Sequence, residues 1–204
     1  WTRMIFHLPY AFHAKRMYVE QFVAERKASG KWVADAQRFG FSEPQSDAFP
    51  DRRSFEKALA GFFKSVSEST MYRRFVHEKL EKPQRASQET GNLYTASIFL
   101  ALMSSLEIDA AEGAHLAGKR LGFVAYGSGS KAKVFEAVVQ PGWADIAAKF
   151  KVFEKLNARR AIDFDQYEKL HTGVQQGSVL AEMNRWGLKE IGAEGVTLGA
   201  RYYQ

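Results

Sequence analysis

The stretch from Asn92 to Glu107 constrains the fold more than any other part of the chain. Leu93, Ile98, Phe99, Leu100, Leu102, Met103 and Leu106 recur at helical intervals, with Ala96, Ser97, Ala101, Ser104 and Ser105 between them. A helix that is apolar or small nearly all round has no polar face to give to water, so it belongs inside a layered domain. A β-hairpin follows. Gly118 introduces an apolar, aromatic strand from Lys119 to Tyr126, Gly127-Ser128-Gly129-Ser130 turns the chain, and Ala132 to Val139 return until Pro141-Gly142. A buried helix feeding a hairpin predicts a layered α/β domain with helices on both faces of the sheet.

The flanking segments fit such layers. Residues 11–28 read as a helix with Phe12, Val19, Phe22 and Val23 on its apolar stripe, ended by Gly30. Residues 40–53 are a loop by composition, and Ser54 is expected to cap a second helix carrying Phe55, Leu59, Phe62, Phe63 and Val66. The charged run from Arg73 to Arg85 predicts a solvated helix and loop, broken at Pro83. Two amphipathic helices are expected at 144–157 and 163–171. Trp186 to Ile191 and Val196 to Tyr203 should close the chain as a hairpin about Gly192-Ala193-Glu194-Gly195.

Composition excludes several classes of function. With no cysteine among its 204 residues, the chain has no disulfide, no thiolate metal site and no cysteine nucleophile of its own. That absence suits a reducing, cytoplasmic setting. No apolar run approaches the roughly 18 residues of a membrane-spanning helix, so no membrane partner is expected. The opening Trp1-Thr2-Arg3-Met4 has neither an initiator methionine nor the layout of a signal peptide, which predicts a piece of a longer protein. The net charge of +6 is dispersed, as in Lys79-Leu80-Glu81-Lys82. It favours a phosphate-bearing small molecule over nucleic acid.

Three constellations hold chemistry-bearing groups. His7 sits in Ile5-Phe6-His7-Leu8-Pro9-Tyr10, an apolar setting in which Pro9 restrains the backbone. It is either a satisfied core histidine or a positioned acid/base whose pKa is tuned near neutrality. Asn92, in Glu89-Thr90-Gly91-Asn92-Leu93-Tyr94-Thr95, either caps the buried helix or polarises a substrate carbonyl. Tyr126-Gly127-Ser128-Gly129-Ser130 is an ordinary hairpin turn or a cradle whose backbone N–H groups and Ser128 hydroxyl hold an anion. His13 follows His7 by six residues, on a different helix face, which argues against a shared metal, and no metal site is expected. His77, His115 and His171 read as surface residues, and the pairs Glu107/Asp109 and Asp163/Asp165 as helix-end or capping charges.

In this order and spacing the motifs resemble the C-terminal half of 3-hydroxy-3-methylglutaryl-CoA synthase, of the thiolase-like superfamily. The resemblance rests on Phe6-His7-Leu8-Pro9-Tyr10, Gly91-Asn92-Leu93-Tyr94-Thr95-Ala96-Ser97 and Leu116-Ala117-Gly118-Lys119-Arg120-Leu121-Gly122, leading into Tyr126-Gly127-Ser128-Gly129. It extends to Leu198-Gly199-Ala200-Arg201-Tyr202-Tyr203, so residues 1–204 read as one C-terminal domain. The fold it implies is half of a thiolase-like layered αβαβα fold, a mixed sheet covered by helices.

The activity it implies is an acyltransferase of the mevalonate pathway to isoprenoids. Acetyl-CoA, acetoacetyl-CoA and water give hydroxymethylglutaryl-CoA and CoA; both thioesters are substrates, and no cofactor is needed. The family's nucleophilic cysteine and basic glutamate belong to an N-terminal half, supplied by the same or a separate chain, and the complete enzyme is expected to be a homodimer. The resemblance gives His7 the acid/base role beside the acetoacetyl group. It gives Asn92, Ser128, Gly127 and Gly129 contacts to the acyl chain, with Tyr94 and Tyr126 either supporting these groups or filling the core. Phe12 stands where the family often carries a CoA-contacting lysine, which leaves His13, Lys15 or Arg16 for the CoA phosphates. A related synthase acting on carrier-protein-bound acetoacetyl groups in polyketide assembly is the alternative reading. A non-catalytic scaffold of the same fold is another.

Overall fold

Strand β1 (Arg3–Phe6) is short, and its middle is buried on both sides. Met4 and Ile5 point to opposite faces of the strand, as successive strand residues must, and are 3% and 0% exposed. In the computed structural model, which describes residues 1–127, 129, 131–179 and 188–203, β1 runs parallel to β2 (Arg120–Gly127). Strand β2 pairs antiparallel with β3 (Lys131–Val138), with Phe123 opposite Phe135, their rings stacked 4.8 Å apart. The sheet is therefore mixed, in the order β1-β2-β3. The expected hairpin lies within a residue of its predicted limits.

The chain between β1 and β2 is helical. Helix α1 (His13–Ala28) is followed by α2 (Trp32–Phe39), which the composition did not signal. It ends at Gly40, whose φ of +67° closes the last turn in the left-handed region that glycine tolerates. Helix α3 (Arg52–Glu68) is capped by Asp51 rather than Ser54, because the Asp51 carboxylate accepts from Ser54 N at 2.8 Å. Ser54 already lies in the first turn.

The charged run after Ser69 is not a solvated helix and loop. It is continuously helical, from α4 (Thr70–Val76) through a π-turn at His77–Glu81 into α5 (Lys82–Arg85), and Tyr72, Leu80, Pro83 and Gln84 are buried. Pro83 has no N–H to give the preceding turn, and the widened π-turn carries the helix past that gap. Charge was a poor guide here because the apolar residues between the charges face inward.

Helix α6 (Ser97–Ala111) inverts the expectation drawn from its composition. It starts at Ser97 after a 3-10 turn at Tyr94–Ala96, five residues later than Asn92. Its buried stripe is Ser97, Ala101, Ser104, Ser105 and Asp109, while Phe99 is exposed. Small side chains let α6 approach its neighbours closely, and their hydroxyls complete hydrogen bonds there. Ser104 Oγ donates to Lys82 O (2.7 Å) and accepts from Ala86 N (3.1 Å), so it bridges the first residue of α5 and the residue that follows the helix. Asp109, wholly buried, meets Arg3 Nη2 and Lys82 Nζ, each at 2.6 Å. It does lie in the last turn of α6, as expected, but as the buried centre of an ion triad rather than a solvated end charge. Glu107 does cap a helix, but a different one: its carboxylate accepts from Val152 N and Phe153 N at the start of α8 (Val152–Asn157).

Two apolar clusters result. Ile5, Leu8, Ala14, Ala101, Leu121 and Phe123 join the sheet to α6. Phe22, Trp32, Phe62, Val66 and Tyr72 join α1 to α4 through ring contacts such as Phe22 on Tyr72 at 5.1 Å. The layered α/β class is as expected, and β1 is covered on both faces. Strand β3 departs from the expectation of full cover: every residue in it is exposed in the described structure. The single helix expected at 144–157 is two, α7 (Trp143–Ala147) and α8, separated where Lys151 adopts a φ of +52°.

Residues Ala158–Gln204 form a second compact unit. It holds α9 (Phe164–His171), capped by Asp163 as expected, and the antiparallel pair β4 (Leu188–Ile191) and β5 (Arg201–Tyr203). The closing hairpin is thus present, with a 3-10 turn at Gly195–Thr197 between its strands. Trp186 lies outside the described residues.

Candidate functional site

Where β1 ends, His7 N still donates to Val124 O of β2 at 2.9 Å, so the histidine backbone is held by the sheet. Alternation along the strand gives His7 the same face as Ile5, the face that packs on α6. Its imidazole Nδ1 lies 3.0 Å from Ser97 Oγ, and Leu8 N donates to the same hydroxyl at 3.0 Å. Leu8 is core, whereas the ring of His7 is partly open to solvent. Tyr126 flanks it with ring centroids 6.0 Å apart.

Burial, and secondarily the nearby His13, lower the His7 pKa below its ordinary 6.5. The neighbouring first turn of α6 presents the positive end of a helix dipole, a field that also disfavours an imidazolium. The resting ring is therefore neutral at pH 7. His7 precedes α1 rather than sharing a helix with His13, so the helix-face argument against a shared metal does not apply to this pair. Among the described residues no group of three or more His, Asp or Glu side chains is arranged to hold a metal ion.

Asn92 does not cap α6. Its Oδ1 accepts from Tyr94 N at 2.8 Å and closes a tight turn in which Tyr94 adopts a φ of +50°. A non-glycine residue in that region is held there against its steric preference. The Tyr94 ring is 76% exposed and Tyr126 is also exposed, so neither fills the core. Gly127 closes β2, and Gly129 is exposed in the following turn. Ser128 lies outside the described residues.

A concavity of about 850 Å³ lies elsewhere, over α1, α3 and α4. Lys15, Arg16, Lys64 and Arg73 line it with Phe12 and Phe63, and the Lys15 ammonium sits 4.1 Å above the Phe12 ring. Glu20 and Glu81 also reach it. The Gln84 amide is part of its wall, and Gln84 Nε2 is buried without a hydrogen-bond partner. The structure thus brings together His7 and Tyr126 in one place, and Lys15, Arg16 and Phe12 in another. Neither His7, Asn92 nor Tyr126 lines the basic groove.

Sequence reasoning gave no role to Ser97, Lys64, Arg73 or Gln84. A serine in the first turn of an otherwise apolar helix was the available signal for Ser97. Nothing local marks the other three, which meet the groove only through tertiary packing.

A family model described as hydroxymethylglutaryl-coenzyme A synthase C terminal matches residues 2–185. Among curated relatives, the hydroxymethylglutaryl-CoA synthase of Haloferax volcanii is 33% identical over 129 residues, 63% of this chain and 29% of that protein. That of Ganoderma lucidum is 26% identical over 190 residues, 86% of this chain and 38% of its own length. The chain therefore spans about a third of these relatives. The solved structure of MvaS in complex with 3-hydroxy-3-methylglutaryl coenzyme A superposes over 100% of this chain and 41% of its own, with a TM-score of 0.61 at 22% identity. At that identity the likeness establishes the fold.

Proposed function

The chain belongs to the hydroxymethylglutaryl-CoA synthase C-terminal family, and from that premise we propose that it is the acetoacetyl-binding half of such a synthase. The reaction condenses acetyl-CoA with acetoacetyl-CoA and water, as expected of the mevalonate pathway in a cytoplasmic setting. His7 orients the acetoacetyl group and assists proton delivery to the new alkoxide. Asn92, Ser128, Gly127 and Gly129 hold the acyl chain, with Tyr94 and Tyr126 beside them, and no further cofactor takes part. Lys15 and Arg16 meet the CoA phosphates. The observation that carries this reading is the corner formed by His7, Ser97 and Tyr126: a neutral, partly solvent-open imidazole held by a strand end and a helix start. The basic groove supports the assignment of Lys15 and Arg16, since Phe12 removes a cation there and Lys64 and Arg73 add two.

A cysteine-free chain has no thiolate to take the acetyl group, so the condensation needs a partner half that brings the nucleophile and the carbanion-forming base. By the family resemblance, the proposed complete enzyme is a homodimer. The test is to assay the chain alone and with a cysteine-bearing N-terminal half, using acetyl-CoA with either acetoacetyl-CoA or an acetoacetylated carrier protein. The expected result is no product from the chain alone and hydroxymethylglutaryl-CoA from the pair. In the pair, His7→Ala should lower turnover about a hundredfold or more, the scale of a positioned acid/base. Product from the isolated chain would overturn the reading. Turnover untouched by His7→Ala would favour a scaffold, and preference for the carrier protein would favour polyketide β-branching.

A further inference from the structure

His7 has two ring nitrogens, and which of them holds the proton decides what the neutral ring can do to an acyl oxygen. We propose that Ser97 is a positioning residue whose hydroxyl donates to His7 Nδ1, holding the neutral imidazole with its proton on Nε2. The inference rests on the reading of His7 as the group that meets the acyl ligand.

The argument is one of donors and acceptors. Ser97 is 2% exposed, and its Oγ lies 3.0 Å from both Leu8 N and His7 Nδ1. A backbone N–H only donates, so Leu8 occupies a lone pair of Oγ. The hydroxyl has a single proton, and among the described residues His7 Nδ1 is the acceptor beside it. In the reverse arrangement Nδ1–H and Leu8 N–H would both point at one oxygen, and the hydroxyl proton would be buried without an acceptor. Nδ1 is therefore unprotonated in the neutral ring, and Nε2 carries the hydrogen.

Packing holds each member in place. Ser97 is the first residue of α6, and Leu8 belongs to the cluster that joins β1 to that helix. Other titratable groups facing the ring are His13 at the start of α1 and Tyr126 on β2. A ring in this form meets a carbonyl as a hydrogen-bond donor and orients it before reaction. It cannot take a proton at Nε2.

The test needs no substrate, so its failure is separable from failure of the functional reading. Long-range ¹H–¹⁵N spectra of the labelled chain, recorded above the ordinary histidine pKa with His7 assigned through His7→Gln, report each ring nitrogen directly. The expected pattern is a pyrrole-type Nε2 and a pyridine-type Nδ1. Ser97→Ala should move both nitrogens toward the average of a ring exchanging between tautomers, and Ser97→Thr, which keeps the hydroxyl, should restore the wild-type pattern. A wild-type ring protonated on Nδ1 overturns the proposal even if Ser97→Ala fails to fold. Unchanged nitrogen shifts in a folded Ser97→Ala protein also overturn it.

Discussion

The two cores of residues 1–157 are built on different principles. In the core between the sheet and α6, aliphatic and aromatic residues such as Ile5, Leu8 and Phe123 meet a helix face of small residues tied down by polar groups: Ser97 to the His7 loop, Ser104 to the backbone beside α5, Asp109 to Arg3 and Lys82. The core among α1, α2, α3 and α4 is dominated by large rings, with Trp32 on Phe62 and Phe22 on Tyr72 in edge contact. The first arrangement fixes directions, because a hydrogen bond fails when its partners turn away. The second fills volume and tolerates small rotations. The histidine corner belongs to the directional core. The basic groove, whose cations need only approach an anion, lies over the aromatic one.

The largest effect should come from Asp109→Ala, which removes the carboxylate that neutralises Arg3 and Lys82. Breaking a buried ion cluster from one side costs about 3–5 kcal/mol, measured by denaturant unfolding. An unchanged midpoint would mean that the polar core does not depend on its charges. Burial weighs most heavily against the Lys82 charge, yet its bonds to Asp109 and Glu112 outweigh that cost and raise its pKa. Lys82 therefore helps stability until the pH rises past the usual lysine range.

A smaller effect is expected in the aromatic core. Tyr72 O–H donates to Lys15 O at 2.6 Å, and Tyr72→Phe should cost about 1 kcal/mol, since the ring stays and one hydrogen bond goes. Burial also raises the Tyr72 pKa, so the phenol stays protonated and donating at neutral pH. A loss comparable to that of Asp109→Ala would erase the distinction between the cores.

The smallest effect is the pH dependence carried by His7. Its folded pKa lies below 6.5, so the fold favours the neutral ring. Above pH 6.5 the ring is neutral in both states and exacts no cost. As the pH falls below that value the unfolded chain binds the proton more readily, and stability declines until the lower, folded pKa is passed. Unfolding midpoints taken from about pH 8 to about pH 5, roughly the range of histidine titration, should show this slope. His7→Gln should flatten it, and a slope unaffected by that change would place the titration elsewhere.

Much of this was readable from residue patterns, for physical reasons. The hairpin was legible because Gly127-Ser128-Gly129-Ser130 between two strand-forming runs permits little else. His7, Asn92 and the turn after Tyr126 were legible as motifs. Their arrangement was not: the motif pointed to Asn92 as the opening of α6, but its side chain closes a turn five residues earlier. The charged run 73–85 misled because charge density does not reveal which residues between the charges are buried. Helix α2 lay in a stretch to which composition assigned no element.

The sequence by itself determined the α/β class, the hairpin, the family motifs and the absence of a cysteine nucleophile in this chain, because each is set by local pattern or by composition. Only the tertiary structure decided that α6 buries its serines and leaves Phe99 outside, that Asp109 is an ion centre, and that Ser97 stands behind His7. Those outcomes depend on which face of a helix meets which strand. That choice is made between segments some ninety residues apart, where no local periodicity reaches.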